Sequence, residues 1–159
     1  MHISLSSWVR DKIQGVDLTG KSVLEIGAMD INGGVKTFFK NCNYTGIDMR
    51  EGTGVDIVQN AHDLSFPDSS FDIVLCLEVL EHDDKFWLTL QQIKRVLKKD
   101  GFLFLTTRSN GFPKHDFPCD YYRFDIDVVE TLMSEAGCAV LEKKIDPQFA
   151  GFFSIGVKE

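Results

Sequence analysis

The chain has 159 residues, of which 43% are hydrophobic and 26% charged, a composition typical of one soluble globular domain. Its formal net charge of −7 lacks the basic excess that general nucleic-acid binding requires, so nucleic acid is not an expected partner. Because no apolar run approaches the roughly 20 residues of a membrane span, and the four scattered cysteines lack metal or redox spacing, we expect a cytoplasmic protein with free thiols and no membrane contact.

The first half of the chain predicts one helix, three strands and a short second helix. Apolar residues at helical spacing up to Ile13 follow Ser4, a candidate N-cap. Apolar runs over residues 22–28, 44–49 and 55–58 predict strands. Between the first two runs, Val35, Phe38 and Phe39 predict a short helix after a pair of glycines. Strands and helices therefore alternate from the start.

The second half continues the alternation. Residues 71–77 predict the strongest strand, and residues 102–106 predict another. The intervening helix would begin after Asp83 or Asp84 and end near Gly101. Its apolar positions recur every three or four residues: Phe86, Leu90, Ile93 and Leu97. Asp125 would cap a further helix that stops at Gly137.

The last two apolar runs, over residues 140–145 and 152–157, are joined by a connection too short for a crossover helix. We therefore expect them to pair antiparallel, as a hairpin at the end of the chain. The earlier alternation predicts a mostly parallel sheet with helices on both faces. We expect one domain: an N-terminal helix (1–20), a core (21–107), a long loop (108–126), and a helix with the closing hairpin (127–159).

The residues after the first two predicted strands indicate a nucleoside site. In an open α/β sheet, ligands bind beyond the carboxyl ends of the strands. The loop over residues 27–34 is rich in small residues that let the main chain approach a ligand, but it lacks a complete G-x-G-x-x-G and so disfavours a nicotinamide cofactor. Asp48 ends the second strand, where a carboxylate can accept hydrogen bonds from both hydroxyls of a ribose.

Four segments, taken in order, resemble a class I S-adenosylmethionine-dependent methyltransferase of the type 11 kind: VLEIGA, YTGID, the stretch from NAHDLSFPD to LEVLEH, and RVLKKDGFLFLTT. The resemblance covers residues 22–137 and implies methyl transfer with S-adenosylmethionine as cofactor. It also implies a Rossmann-like three-layer α/β sandwich with a seven-stranded sheet whose last strand is antiparallel. The variant is compact, because residues 50–54 are too short for the customary helix.

The resemblance assigns the residues that contact the methyl donor. In chain order they are Glu25, Gly27, Ala28 and Asn32 in the first loop, Asp48 and Met49 at the ribose and adenine, Asn60, Ala61 and His62 at the adenine edge, and Cys76, Leu77 and Glu78 beneath the sulfonium. Asn60 replaces the usual Asp, but an amide oxygen can still accept the adenine amino proton.

Residues 108–126 are dense in Pro, aromatic and ionisable side chains, which predicts a lid over the acceptor. The lid resembles an H-x-x-P-x-D-Y-x-R-F stretch in methyltransferases often associated with glycan modification, which implies a glycan-type or small-molecule hydroxyl acceptor. His82 and His115 are candidate general bases, since imidazole titrates near neutral pH. Asp120 and Arg123 either contact the acceptor or form an ion pair that fixes the lid.

Alternative functions use the same residues. Glu78, Glu81, His82 and His115 resemble the metal-binding set of small-RNA 2′-O-methyltransferases, and a related set occurs in ubiquinone-pathway O-methyltransferases. A metal there would lower the pKa of the acceptor hydroxyl. We expect no metal, because Glu-His after the fourth strand is common in metal-free relatives. The incomplete glycine pattern also permits a non-catalytic module that only binds S-adenosylmethionine. A nicotinamide dehydrogenase is disfavoured by that pattern and by the closing hairpin.

Overall fold

One seven-stranded sheet organises the protein. The computed structural model describes residues 2–116 and 118–159, so Met1 and Phe117, the latter within the predicted lid, lie outside the described residues. The strands are β1 (Ser22–Ile26), β2 (Asn43–Asp48), β3 (Ile57–Val58), β4 (Phe71–Leu77), β5 (Leu97–Arg108), β6 (Cys138–Ile145) and β7 (Gly151–Lys158). The α-helices of the described residues are α1 (Ile3–Ile13), α2 (Phe86–Val96) and α3 (Val129–Glu135).

The strand order is β3-β2-β1-β4-β5-β7-β6. The pairs β1–β2, β2–β3, β1–β4 and β4–β5 are parallel, whereas β7 runs antiparallel to both β5 and β6. The predicted closing hairpin and the predicted fold class are therefore confirmed. The chain begins the sheet at β1 and builds outwards on both sides, so the order reverses between β1 and β4. Ligands bind at such a reversal in open α/β sheets.

Helices cover both faces of the sheet and divide the hydrophobic core in two. On one face, Leu5 and Trp8 of α1 pack with Leu75 and Phe153 of the sheet. On the other face, α2 and α3 bury their apolar stripes against the same strands, with Leu90, Ile93, Leu132 and Met133 nearly inaccessible. Strand β4 is buried along almost its whole length, as its apolar run predicted, and the half-buried Asp72 is its one interruption. None of the helices in the described part of the chain has the length and apolar character that crossing a bilayer requires.

Several predicted helix ends are wrong. Ser4 lies inside α1 and is buried, and His2 occupies the N-cap position without a side-chain bond. Helix α2 ends at Val96, and the residues predicted to finish it belong to β5. The cause is strand pairing: Leu97 aligns with Phe71, and after an irregularity in the register Phe102 aligns with Ile73. Sheet formation therefore overrides the C-terminal helix signal at Gly101.

The segment between β1 and β2 also departs from the prediction. Only a single 3₁₀ turn, Lys36–Phe38, replaces the expected helix, although Val35 and Phe39 are buried as its apolar pattern implied. All four cysteines are free, which confirms the predicted thiols, and Cys76 and Cys138 are buried in the core.

The short connection after β2 is pressed against the first loop of the sheet. An added Cβ on Gly46 would lie 2.3 Å from the carbonyl oxygen of Gly54, and one on Gly54 would lie 2.4 Å from that of Ala28. Glycine is therefore required at both positions, since no real Cβ approaches so closely. Asp30 N–H donates to the carbonyl of Thr53 at 2.8 Å, which ties the two segments together. Because no helix follows β2, the short connection packs directly against the loop that follows β1.

Candidate active site

A cleft of about 400 Å³ opens beyond the carboxyl ends of β1, β2 and β4. This size lies in the range of small-molecule sites, about 300–1,000 Å³. Residues 25–34, 47–50, 59–62 and parts of 77–84 form its floor and one wall, and the predicted lid contributes residues from 115 to 121. All four histidines of the chain line it: His2, His62, His82 and His115. The sheet topology therefore brings the predicted site residues into one cavity.

Most of the predicted donor-binding residues line this cleft. They are Glu25, Gly27, Ala28, Asn32, Asp48, Met49, Asn60, Ala61, His62, Leu77 and Glu78. The exception is Cys76, which is completely buried in the core on the α2 side of the sheet. The prediction for Cys76 is wrong because Leu77, one residue later, is the last residue of β4 and the one that reaches the cleft.

Carboxylates dominate the charged groups of the cleft. Six acidic residues line it: Glu25, Asp30, Asp48, Glu78, Asp83 and Asp84. Among the described lining residues, Arg50 is the only lysine or arginine. Such a surface attracts a cationic ligand and repels an anionic one.

Glu25 is the most buried acid that lines the cleft, with 4% of its surface exposed. The Tyr44 hydroxyl donates a hydrogen bond of 2.7 Å to its Oε2 atom. Burial, the larger effect, raises the pKa of Glu25 to about 7, and the bond from Tyr44 only partly opposes that shift. Glu25 therefore changes its charge near neutral pH, inside the cleft.

In the first loop, residues 29–32 stand where related proteins usually have glycines, and the side chain of Asp30 closes the turn. Asp30 accepts a hydrogen bond from the Gly33 N–H at 2.5 Å, which closes the turn. Gly27 has a φ of +75°, and an added Cβ there would lie 2.6 Å from Cγ2 of Val79. Ala28 N–H donates to the carbonyl of Ile47 at 2.9 Å, so this amide is already paired within the protein. Glycine is needed at position 27 to admit Val79, and the later turn also uses glycine, at Gly33 with a φ of +98°.

The residues at the predicted adenine edge bind one another. The Asn60 side-chain oxygen accepts from the His62 N–H at 2.9 Å, and His62 Nε2 lies 2.6 Å from Asp83 Oδ1. Asp83 also accepts from the Thr89 hydroxyl at 2.6 Å and from the Lys85 N–H at 2.9 Å. Because carboxylate oxygens of an ionised Asp only accept, Nε2 of His62 carries its proton toward Asp83. The His62 ring is thereby fixed in orientation, a contact that the sequence did not reveal.

The two predicted bases meet at the other end of the cleft. The rings of His82 and His115 are 4.6 Å apart, edge to face. His82 Nδ1 lies 2.5 Å from the carbonyl oxygen of Cys119, which can only accept, so Nδ1 carries the proton. In the neutral ring the unprotonated nitrogen is then Nε2. Burial and the neighbouring His82 lower the pKa of His115, which keeps this ring neutral near pH 7.

Glu81 lies completely buried next to this histidine pair. Its Oε2 accepts from the Thr107 hydroxyl at 2.8 Å, whereas Oε1 has no hydrogen-bond partner. Burial raises its pKa to about 7. One ligand atom each from Glu81, His82 and His115 lie within 4.8 Å of one another. Glu78, the fourth member of the predicted metal set, does not join them, because it forms an ion pair with Arg108.

Asp120 and Arg123 form an ion pair with each other and do not line the cleft. Arg123 Nη2 donates to Asp120 Oδ2 at 2.5 Å and to the carbonyl of Pro113 at 3.1 Å. Asp120 Oδ2 also accepts from the His115 N–H at 2.8 Å. Of the two predicted roles, the structure places these residues in the one that fixes the lid, and the pair holds the backbone of His115 in position.

No sequence pattern indicated that His2 lines the cleft. Its ring lies 4.4 Å from that of Phe149 and 5.5 Å from that of Phe112. Its position depends on how α1 packs on the sheet and on where the β6–β7 connection turns. No local pattern encodes that arrangement.

Comparisons with known proteins point to one family. A family model described as "Methyltransferase domain" matches residues 17–105. The chain is 32% identical over 118 residues to a fatty-acid O-methyltransferase of Mycolicibacterium smegmatis, which covers 64% of this chain and 41% of that protein. It is 32% identical over 124 residues to a ubiquinone biosynthesis O-methyltransferase of Actinobacillus pleuropneumoniae, covering 63% and 50%. The chain thus spans half or less of these two relatives.

A solved structure shares the fold. It is the Burkholderia thailandensis 1,6-didemethyltoxoflavin-N1-methyltransferase with bound 1,6-didemethyltoxoflavin and S-adenosylhomocysteine. The TM-score is 0.77 at 17% identity, with 97% of this chain and 76% of that chain covered.

Replacing the buried acid Glu25 should change stability in a pH-dependent way. Its pKa is about 7 in the folded chain against an ordinary 4.5, so the folded state loses stability as pH rises through that interval. Glu25→Gln should have almost no effect near pH 4 and should raise the free energy of unfolding by about 3 kcal/mol above pH 8. Urea unfolding at both pH values measures this. The exposed Glu51→Gln is the control, and an equal gain at both pH values would contradict the assignment.

Proposed function

Because the chain belongs to the methyltransferase-domain family, we propose that it transfers a methyl group from S-adenosylmethionine to a hydroxyl oxygen. The observation that carries the proposal is the lining of the main cleft, which includes Asp48 and Glu25, near the ends of β2 and β1, together with the His82–His115 pair. A donor site and a proton acceptor are thus parts of the same cavity. The names of the two curated relatives, both O-methyltransferases, support an oxygen atom as the acceptor.

The chemistry of the cleft fits the donor. S-adenosylmethionine carries a sulfonium cation, and the six lining carboxylates provide the complementary charge. Asp48, at the end of β2, would accept hydrogen bonds from the ribose hydroxyls, and Met49 would pack on the adenine. Asn60, Ala61 and His62 would hold the adenine edge. The remaining lining residues of the predicted set would contact the methionine portion: Glu25, Gly27, Ala28, Asn32, Leu77 and Glu78.

His82 would act as the general base. When bound, the donor supplies an electrophilic methyl carbon whose bond to sulfur breaks with the electron pair remaining on sulfur. The acceptor oxygen forms its new bond to that carbon, and the hydroxyl proton passes to Nε2 of His82, which the Cys119 carbonyl leaves unprotonated. His115, positioned by Asp120, would confine the acceptor hydroxyl beside that nitrogen. The rest of the rate enhancement comes from alignment of the acceptor with the methyl group.

Removing the carboxylate of Asp48 should weaken donor binding. Hydrogen bonds to a charged group contribute about 1.5–3 kcal/mol, so Asp48→Ala should raise the dissociation constant of S-adenosylmethionine roughly 10- to 100-fold. Isothermal titration calorimetry gives the constant directly. Asp68→Ala removes a carboxylate that is 78% exposed and does not line the cleft, and it should have no effect. Unchanged affinity in Asp48→Ala would show that the donor does not bind at this strand end.

Replacing His82 should slow the chemical step without weakening donor binding. In His82→Asn the amide can still donate to the Cys119 carbonyl, but the basic nitrogen is lost. We expect kcat to fall about 10²- to 10⁴-fold, the usual contribution of a general base, with partial rescue by added imidazole. Formation of S-adenosylhomocysteine from a panel of glycans and small hydroxyl compounds provides the assay, and it also tests the predicted glycan acceptor. Full activity in His82→Asn with loss in His115→Asn would transfer the role to His115.

A metal-dependent O-methyltransferase is the second candidate, and a single observation favours it. The Oε1 atom of the buried Glu81 has no hydrogen-bond partner among the described residues, and a carboxylate oxygen of Glu81 lies within 4.8 Å of a ring nitrogen of His82 and of His115. One carboxylate and two imidazoles suit a divalent transition metal or zinc. An RNA acceptor fits the acidic cleft poorly, so a small molecule is the better acceptor in this case as well.

Chelation separates the two mechanisms. If His82 acts without metal, turnover should persist after dialysis against EDTA, and calorimetry should show no binding of Mn²⁺ or Zn²⁺. Loss of turnover that either metal restores, together with metal binding that Glu81→Gln abolishes, would instead establish the second candidate. Donor binding without any conversion across the acceptor panel, with or without metal, would indicate a non-catalytic module.

A further inference from the structure

A second cavity of about 310 Å³ adjoins the main cleft. His2, Ile3, Asn32, Gln148 and Phe149 line it. His2 and Asn32 also line the main cleft, so the two cavities share a wall. The second cavity therefore continues the main cleft toward the N-terminus of α1 and the β6–β7 connection.

Two of the five residues that line the second cavity, Ile3 and Phe149, are large and hydrophobic, and the other three, His2, Asn32 and Gln148, are polar side chains that are uncharged at neutral pH. No Asp, Glu, Lys or Arg is among its lining residues in the described part of the chain. Ile3 is 76% exposed and Phe149 is 39% exposed, although both are large hydrophobic side chains. Ile31, in the first loop, is also exposed at the neighbouring part of the main cleft. Adjacent exposed apolar side chains at a cavity indicate a surface that binds an apolar group.

The buried cation of Arg108 packs against Phe149, which lines the second cavity, and against the neighbouring Phe112. The guanidinium carbon of Arg108 lies 4.6 Å from the centre of the Phe112 ring and 5.8 Å from that of Phe149. Arg108 is itself completely buried, and it donates to Asp146 Oδ2 at 3.0 Å and pairs with Glu78. Its charge is thus neutralised inside the protein and offers nothing to an anionic ligand. The rings are ordered before any ligand arrives, which lowers the entropic cost of binding.

A series of ring contacts connects Phe149 with His115, which lies beside the candidate base His82. The Phe149 ring contacts that of His2 at 4.4 Å, His2 contacts Phe112 at 5.5 Å, and Phe112 contacts His115 at 4.9 Å. The two cavities share His2 and Asn32, and the ring contacts run from Phe149 in the second cavity to His115 in the main cleft. A molecule that fills the second cavity is therefore a neighbour of the cleft that contains the histidine pair.

We propose that the second cavity binds the apolar body of an uncharged alcohol or phenol, whose hydroxyl group enters the main cleft at the histidine pair. This inference rests on the proposed function and names its acceptor class. The product is a methyl ether, formed as the hydroxyl oxygen bonds to the methyl carbon, the sulfur–carbon bond breaks toward sulfur, and His82 takes the proton. The lining of the main cleft is mainly acidic, with Arg50 as its only lysine or arginine among the described residues, and this disfavours an anionic acceptor. A sugar would leave the apolar wall without a matching surface.

Four matched acceptors test the proposal in the full chain: decanol, para-hexylphenol, decanoate and methyl glucoside. We expect KM for decanol and para-hexylphenol to be at least tenfold lower than for the other two. Equal or better turnover of decanoate would overturn the requirement for an uncharged acceptor. Preference for methyl glucoside would overturn the apolar class while leaving methyl transfer intact.

A charge placed in the second cavity provides the matched variant. Ile3 is the first residue of α1 and largely exposed, so Ile3→Asp should fold, and a carboxylate in the first turn of a helix is favourable. We expect KM for para-hexylphenol to rise about tenfold and S-adenosylmethionine affinity to stay unchanged. Val16→Asp, at an exposed apolar residue that lines neither cavity, should change neither quantity. Equal effects of the two variants would exclude the second cavity as the acceptor site.

Direct binding separates failure of this inference from failure of the proposed function. Saturation-transfer NMR detects para-hexylphenol on the protein saturated with S-adenosylhomocysteine, whether or not turnover occurs. Binding that Ile3→Asp weakens and Val16→Asp does not would support the cavity even if no acceptor is methylated. Absence of para-hexylphenol binding, or binding that both variants leave unchanged, would overturn the proposal.

Discussion

Parallel pairing of β1 with β2 on one side and β4 on the other is the constraint on which the site depends. It brings three carboxyl ends to one point of the sheet, where the loop of residues 25–34, Asp48 and Leu77 surround the same space. Gly46 and Gly54 then allow the short connection after β2, which contains no helix, to pack closely against the end of the sheet. Backbone pairing therefore positions the end of the cleft that we assign to the donor, and side-chain bonds of Asp30 and His62 complete it.

The opposite end of the cleft is assembled by side chains rather than by the sheet ladder. Arg108, between Asp146 and Glu78, links the β6–β7 connection to the residue that follows β4. A planar guanidinium can pair with two carboxylates and stack on aromatic rings at once, which a lysine ammonium cannot do. In the lid, Arg123 and Asp120 play the equivalent part, because they bind the backbone at Pro113 and at His115. Two arginines thus organise the acceptor end.

Local patterns predicted the fold well because strands and their connections are encoded locally. The apolar run of β4 and the short connection of the hairpin led directly to correct elements. The errors arose where distant segments compete: the pairing of Leu97 with Phe71 removed the predicted end of α2. In the site, residues at strand ends were predictable from topology. The position of His2 was not predictable, because its ring neighbour Phe149 lies near the other end of the chain. Cys76 was predicted to line the cleft, but the next residue of the strand, Leu77, does so instead.

The two ends of the cleft differ in how readily their residues can be substituted. The donor end is built around strand termini whose positions the sheet fixes, so its geometry is tied to the fold. The acceptor end consists of loop side chains, the first residues of α1 and the β6–β7 connection, which contact one another through rings and ion pairs. Loops on a rigid scaffold tolerate change more readily than the scaffold does. In the proposed arrangement, residues such as Ile3 and Phe149 set the acceptor class, and because the proposed donor site does not require them, the two properties can change independently.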